Sequence, residues 1–383
     1  MSKRLKEFLL PIFLFFFRLF PLQDKVVFRN FNGRGLGDDP KYIALELLHS
    51  YPKIKLIWLA SNLNESHPKS IKFIQFNSIR AYYHLATAKV WVNNIKHSSM
   101  FIPKRKKQFY IQTWHSTFGI KKIESAAKLP NSYISRAIQD AAQTDLMYAN
   151  NDYRINIYKT RFWYTGPVIK SDVPRISVLF QSSENKKQEI RSFFSIPKNS
   201  GIVLYAPTFR EDKSNMSIYN FDYQKILCAL EKKFQKKFKM LLKLHPNISK
   251  QQCKFIFSKD VINACDYPDM QELLAIVDIL ITDFSASMFD FGFLRKPVFL
   301  FAQDCDRYIQ KERDLDINLK DLPFSMSKTE NDFINQIETF EKDEYIDGIN
   351  HFYTKYGLKD AGNGARTIAK IIHNQITCSK KLY

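Results

Sequence analysis

Short apolar runs alternate with longer amphipathic stretches along most of the chain. In the first half, Lys25–Arg29, Ile54–Ala60, Lys89–Asn93, Phe109–Gln112, Leu146–Tyr148 and Trp163–Thr165 read as strands, being short and rich in β-branched and aromatic residues. Between the first two lies DDPKYIALELLHSY, with Asp39 placed to cap a helix and Pro40 at its first position. The second half repeats the rhythm with strands at Ile202–Tyr205, Met240–Leu244, Ile279–Thr282 and Val298–Phe301. There Asp269 opens a helix over DMQELLAIVD, and SASMFDFGFL follows a strand directly. Strands alternating with helices predict an α/β fold whose parallel sheets are covered on both faces. The 383 residues suffice for two such units. The polar stretch Ser177–Ser200, containing SSENKKQE, is the expected hinge.

One run breaks the rhythm. Residues 1–22 read MSKRLKEFLLPIFLFFFRLFPL, with an uninterrupted apolar stretch of ten residues from Phe8 to Phe17. A bilayer span takes about 20 apolar residues, and Arg18 ends this stretch too early. The sequence Arg18-Leu19-Phe20-Pro21 lacks the small residues of a secretory cleavage site. Lys3, Arg4 and Lys6 stand just before the stretch, where they can meet anionic headgroups. The expectation is a segment lying on the cytoplasmic face of the membrane as a peripheral anchor; a helix packed on the first domain is the competing one.

Composition sharpens this picture in two ways. Lys and Arg number 58 against 38 Asp and Glu, a net charge of +20, which favours a polyanionic partner: nucleic acid, phosphate-rich substrates or an acidic membrane face. No helix-turn-helix, zinc-finger or RNA-binding signature accompanies the charge, so nucleic acid is not the expected partner. The five cysteines are odd in number and scattered, and imply neither a disulfide framework nor a zinc site.

Four strand ends carry chemistry. In YIQTWHSTFGIKKI a strand ends at Gln112, and His115 follows beside hydroxyl residues, Gly119, Lys121 and Lys122. Loops at the carboxyl ends of parallel strands line the ligand crevice, and a histidine there can act as a general base. YAPTFRED places Thr208 and Arg210 at the mouth of another strand, and KLHPN places His245 at a third. In LITDFSASMFDF the strand runs past Asp283 into Ser285, Ala286 and Ser287 at a helix start, where amides, hydroxyls and the helix dipole suit a phosphate. Taken singly, each is matched by an ordinary structural use, as a helix cap or a core histidine.

Together the blocks DDPKYI, HLATAKVWVNN, TWHST, FWYTG, Pro174-Arg175, YAPTFR, LHP, TDFSASMFDF and RKPVF occur in an order and spacing that resembles the CDP-glycerol glycerophosphotransferase family. Members of that family prime and polymerise teichoic acids and related poly(alditol phosphate) capsules. The resemblance implies a GT-B-like arrangement, with two Rossmann-like domains facing each other across a cleft. Residues 25–176 would bind the acceptor and residues 177–355 the CDP-activated donor. Residues 1–24 would form the membrane-associating segment and residues 356–383 a C-terminal helix.

Position by position, the resemblance makes His115 the base that deprotonates the acceptor hydroxyl and His245 a second essential histidine beside the diphosphate. Thr208 and Arg210 would bind phosphate oxygens, and Lys121 and Lys122 would contribute to substrate binding. Ser285, with the amides of Ala286 and Ser287, would hold the diphosphate while Asp283 orients that loop. The implied partners are a CDP-alditol donor, a lipid-linked saccharide or poly(alditol phosphate) acceptor, and the cytoplasmic membrane leaflet. No Asp-x-Asp pair stands at a strand end, so no tightly bound metal or other cofactor is expected, which leaves room only for a loosely recruited Mg²⁺. The chain departs from the family pattern at Ser116, Ala286, Ile176-Ser177 and Phe324-Ser325, which leaves the alditol and the acceptor open. A GT-B glycosyltransferase using a nucleotide sugar is the alternative from the same fold.

Overall fold

The structure is a computed structural model; it describes residues 12–96, 102–211, 216–245, 247–248, 255, 257–311 and 314–378. The chain divides into two compact units. The first takes residues up to 115, then 123–177 and those from 359 onward; the second takes 116–122 and 178–358.

The first unit is built on β1 (Gln23–Arg29), β2 (Lys55–Ala60), β3 (Ile71–Gln75), β4 (Ala88–Asn93) and β5 (Phe109–Gln112). These five strands lie parallel in the order β3-β2-β1-β4-β5. A short parallel pair, β6 (Met147–Ala149) and β7 (Val168–Lys170), joins the edge of β5 through a bridge between Ile111 and Leu146. Residues 26–29 of β1 are all buried, as expected for a strand covered on both faces. Alternate side chains feed two layers. Val26, Phe28, Leu56, Trp58, Val90 and Val92 pack with Ile43, Leu47, Ile368 and Ile372. Val27, Ile57, Leu59, Trp91 and Tyr110 pack with Ala81, Tyr82, Leu85 and Leu14.

The second unit holds β8 (Gly201–Tyr205), β9 (Phe238–Leu242), β10 (Val261–Asn263), β11 (Ile279–Thr282), β12 (Val298–Phe301) and β13 (Met326–Ser327). They are parallel, in the order β10-β9-β8-β11-β12-β13. One face packs Val203, Tyr205, Met240, Ile281 and Phe299 against Ile226 and Leu230 of one helix and Phe333 and Ile337 of another. Both sheets therefore share one winding, outward in both directions from a first central strand. In such sheets ligands bind beyond the carboxyl ends of the strands where the order reverses, here between β1 and β4 and between β8 and β11.

Several sequence expectations need correction. Residues 163–165 form no strand: Trp163 takes a φ of +51°, and the strand follows later as β7. Three short strands, β3, β10 and β13, were not expected. Asp39 does not cap its helix, which begins at Asp38 with Gly37 before it; the Asp39 carboxylate instead accepts from the Arg175 N–H and the Tyr148 hydroxyl. The expected hinge at Ser177–Ser200 is mostly helix, Ser177–Gln181 and Glu184–Phe193, and the chain changes unit at its very start. The C-terminal helix, Gly364–Thr377, is not a separate element: it returns to cover the first sheet through Ile368, Ile371 and Ile372.

At the N-terminal end, residues 12–17 are helical. Leu14 is buried in the first unit, and the rings of Phe17 and Phe20 sit edge-on against Tyr83 at 5.5 and 5.8 Å. Ile12, Phe15, Phe16, Leu19 and Phe20 are exposed. The apolar stretch called an anchor falls partly on residues 8–11, which lie outside the described residues. Among the described residues no helix is long and apolar enough to cross a membrane.

Candidate functional site

His115 follows the carboxyl end of β5 by three residues, and the bend that aims it is locally built. Trp114 sits at φ +58°, an uncommon conformation for a bulky residue. Two hydrogen bonds hold the bend: Trp114 N–H donates to Gln112 Oε1 at 3.0 Å, and the Thr113 hydroxyl donates to the Trp114 carbonyl at 2.8 Å. The half-buried imidazole lies against the Trp114 ring at 4.2 Å and the Phe31 ring at 5.3 Å. Its Nδ1 stands 2.8 Å from the carbonyl oxygen of Asn94. A carbonyl can only accept, so Nδ1 carries the proton and the lone pair resides on Nε2. Burial lowers the imidazole pKa below its ordinary 6.5; the Asn94 carbonyl and Asp38 oppose that, while Arg175 and Arg154 reinforce it. The outcome is a neutral ring with a basic nitrogen, as a general base requires.

In the second unit the sequence-predicted residues gather at the ends of β8 and β11. Asp283 Oδ1 accepts the N–H of Thr208 at 2.8 Å and of Phe284 at 2.6 Å, and Oδ2 accepts from Arg210 Nη1 at 2.9 Å. One carboxylate thus ties both loops. Arg210, expected to reach substrate phosphates, is committed elsewhere. Its Nε and Nη2 donate to the two oxygens of Asp304, each at 2.8 Å, and Nη1 also donates to the Thr208 carbonyl at 2.8 Å. Arg210 is 4% exposed, and its guanidinium lies over the Tyr308 ring. That is a clip between loops. Thr208 differs: its Oγ1 is buried and makes no hydrogen bond among the described residues.

Ser285 Oγ accepts the Ser287 N–H at 3.3 Å and lies 2.9 Å from Ser287 Oγ, while Ala286 precedes the six-residue helix Ser287–Gly292. His245 follows β9 and touches the Phe209 ring at 4.6 Å. Its Nδ1 accepts the Asn247 N–H at 3.2 Å, so in the neutral ring the proton sits on Nε2, opposite to His115. Lys121 and Lys122 belong to the second unit, on its segment 116–122. Lys121 bridges Leu315 and sets its ammonium 5.4 Å from the Tyr308 ring centre, and Lys122 N–H donates to the Asp314 carbonyl.

Sequence reasoning gave no site role to Asn94, Asp38, Arg175 or Asp304, which the structure sets beside the predicted residues or their partners. The first three stand inside recognised blocks, but nothing in the pattern tells that Asn94 would set a histidine tautomer. A buried amide directly after an apolar strand is the one available signal, because such a group must find partners.

The comparisons with known proteins follow this geometry. The teichoic acid poly(glycerol phosphate) polymerase of Staphylococcus epidermidis is 29% identical over 366 residues, covering 92% of this chain and 50% of that protein. The enzyme of the same name from Bacillus subtilis is 26% identical over 361 residues, covering 91% and 48%. The chain thus spans about half the length of these curated relatives; that of Bacillus spizizenii, 25% identical, is covered to 93%. A solved structure of the wall teichoic acid polymerase TagF, as a variant soaked with CDPG, superposes with a TM-score of 0.85 at 27% identity, over 97% of this chain and 94% of that one. The Staphylococcus aureus MnaA–UDP structure, 12% identical with a TM-score of 0.55 over 94% of this chain and 99% of that one, shares the fold alone. The sequence pattern of the CDP-glycerol:poly(glycerophosphate) glycerophosphotransferases matches residues 12–374, and the chain belongs to that family.

Proposed function

We propose that the chain transfers an alditol phosphate, glycerol phosphate foremost, from a CDP-activated donor to a hydroxyl of a lipid-linked saccharide or growing polymer, releasing CMP. The product would be a teichoic-acid-like or capsular surface polymer. The observation that carries this reading is the His115 ring, neutral, with Nδ1–H tied to the Asn94 carbonyl and Nε2 left basic. In the proposed step Nε2 takes the proton of the acceptor hydroxyl. The hydroxyl oxygen forms a bond to the β-phosphorus, the bond from that phosphorus to the bridging oxygen breaks, and its electron pair leaves on CMP. His245, protonated on Nε2, offsets the developing charge as a hydrogen-bond donor. Thr208 Oγ1, Ser285 and the amides of Ala286 and Ser287 hold the diphosphate, with Asp283 and Arg210 keeping the loops in place. Names carried by the relatives, together with the +20 charge facing a polyanionic product, support the donor and acceptor classes. The exposed Phe15, Phe16, Leu19 and Phe20 support work at the inner membrane leaflet as a peripheral protein.

CMP release by the purified full chain tests the reading, with CDP-glycerol, CDP-ribitol and nucleotide sugars each offered beside a short glycerol-phosphate oligomer. Turnover with a CDP-alditol is expected, and His115→Ala should lower it roughly 10²–10⁴-fold. Turnover with a nucleotide sugar and none with a CDP-alditol would make the chain a glycosyltransferase instead.

A further inference from the structure

The base is itself held by a chain of buried groups. Asn94 lies one residue beyond β4 and is fully buried. Its amide is used three ways: Oδ1 accepts the Phe31 N–H at 2.9 Å, and Nδ2 donates to Asn30 Oδ1 at 2.7 Å and to Asp38 Oδ2 at 2.8 Å. These bonds bolt the end of β4 to the loop after β1, the point where the strand order of the first sheet reverses. They leave the Asn94 backbone carbonyl aimed at His115 Nδ1. Asp38 takes a φ of +53°, a conformation uncommon for a residue with a side chain, and its Oδ1 faces Arg175 Nη1 at 3.3 Å. Arg175, Asp38, Asn94 and His115 come from four separate segments and form one line. An ion pair alone would not need the Asn94 amide, and backbone strain of this kind concentrates where geometry serves a site.

We infer that Asn94 and Asp38 are positioning residues for His115, Asn94 fixing which ring nitrogen carries the proton and Asp38 setting how readily the other one takes it. The inference rests on the proposed base role of His115. The charged groups that face the imidazole are Asp38, which favours its protonated form, and Arg175 and Arg154, which disfavour it. Removing the charge of Asp38 therefore withdraws a carboxylate that favours the protonated ring, keeps the opposing pull of Arg175 and Arg154, and makes the ring a weaker base. Replacing the Asn94 amide by a carboxylate sets like charge against Asp38 and turns the carbonyl away from Nδ1.

The test is ¹⁵N-histidine NMR of the full chain, with the His115 signals assigned by their loss in His115→Ala. In the unsubstituted protein the ring should show the Nδ1–H tautomer and titrate below 6.5. In Asp38→Asn the midpoint should fall further, the acid limb of the kcat/KM profile should move down with it, and kcat should fall as the weaker base takes the proton less readily. In Asn94→Asp the Nε2–H tautomer should appear. An Nε2–H tautomer or an ordinary midpoint in the unsubstituted protein would overturn the inference whether or not either variant folds. So would an Asp38→Asn protein with tautomer and midpoint unmoved. The ring is read without turnover, so a protein showing the tautomer and the Asp38→Asn shift but no transfer from CDP-glycerol supports the positioning and sinks the reaction.

Discussion

Arg210 and Asp304 meet through two parallel N–H···O contacts of 2.8 Å, Nε to Oδ2 and Nη2 to Oδ1, the bidentate geometry that a guanidinium and a carboxylate favour. Asp283 and the Thr208 carbonyl take Nη1. Removing the cation leaves two carboxylates, 2% and 11% exposed, facing each other. Breaking such a pair costs about 3–5 kcal/mol. Arg210→Ala should therefore lose about that much in urea unfolding, and Arg210→Lys, which cannot fork, should recover only part. Loss of donor affinity at unchanged stability would return Arg210 to the substrate.

Thr208 calls for the opposite result. Its Oγ1 is buried without a partner, so removing it breaks no bond among the described residues. Exchanging an unsatisfied buried hydroxyl for a methyl is neutral or stabilising. Thr208→Val should unfold at the same urea concentration as the parent or a higher one. A hydroxyl bond to a charged phosphate contributes about 1.5–3 kcal/mol, so the dissociation constant for CDP-glycerol should rise roughly 10- to 150-fold. A calorimetric titration showing unchanged affinity would place the phosphates elsewhere.

The contrast between these two residues explains how much of the site was legible. Thr208 and Arg210 stand two apart in one motif, and both are polar residues after an apolar strand; that pattern located them. What separates them is Asp304, nearly a hundred residues away and brought near only by the fold. Likewise strands covered on both faces, such as β11 and β12, announced themselves as short apolar runs. The edge strands β10 and β13 are three and two residues long, too short to carry a period. Trp163 misled because a strand-forming aromatic sits there in a left-handed turn, a backbone choice that tertiary contacts impose. The return of the C-terminal helix to the first sheet depends on Gly364, where a Cβ would come within 2.4 Å of the Val173 carbonyl carbon, and no sequence period reports such a contact.

That same junction should be sensitive to pH. Asp360 accepts from Asn150 Nδ2 and from the amides of Val173 and Gly362, and Asp172 answers by accepting from the amides of Ala361 and Asn363. Burial pushes the Asp360 carboxyl up from 3.8 to about 6, against the pull of those amides. Between those two values the folded chain holds a proton that the unfolded chain has released, so this group makes the fold less stable as pH rises through that window. The full effect is no more than about 3 kcal/mol, since one unit corresponds to about 1.4 kcal/mol. Asp360→Asn should flatten the difference in unfolding free energy between pH 4 and pH 6.5. Parallel pH curves for parent and variant would show that the carboxyl titrates normally.

The N-terminal helix presents two faces, and they should separate the anchor from the docked helix. Leu14 is 5% exposed within the first core, while Phe15, Phe16 and Leu19 are 64%, 55% and 70% exposed. Each exposed ring or leucine that enters a bilayer interface gains up to about 1.5–3 kcal/mol from burial, and three act together. Arg18, on the same segment, adds roughly 1 kcal/mol near anionic lipid, a share that salt screens while the apolar share persists. The triple variant Phe15→Ser, Phe16→Ser, Leu19→Ser should keep the parent melting temperature and lose most sedimentation with vesicles containing anionic lipid. Leu14→Ala should do the reverse, destabilising the first unit by about 2–5 kcal/mol while vesicle binding by the folded fraction persists. If the triple variant instead melted early and still bound vesicles, the exposed face would belong to the packing of the protein and the membrane contact would have to lie elsewhere.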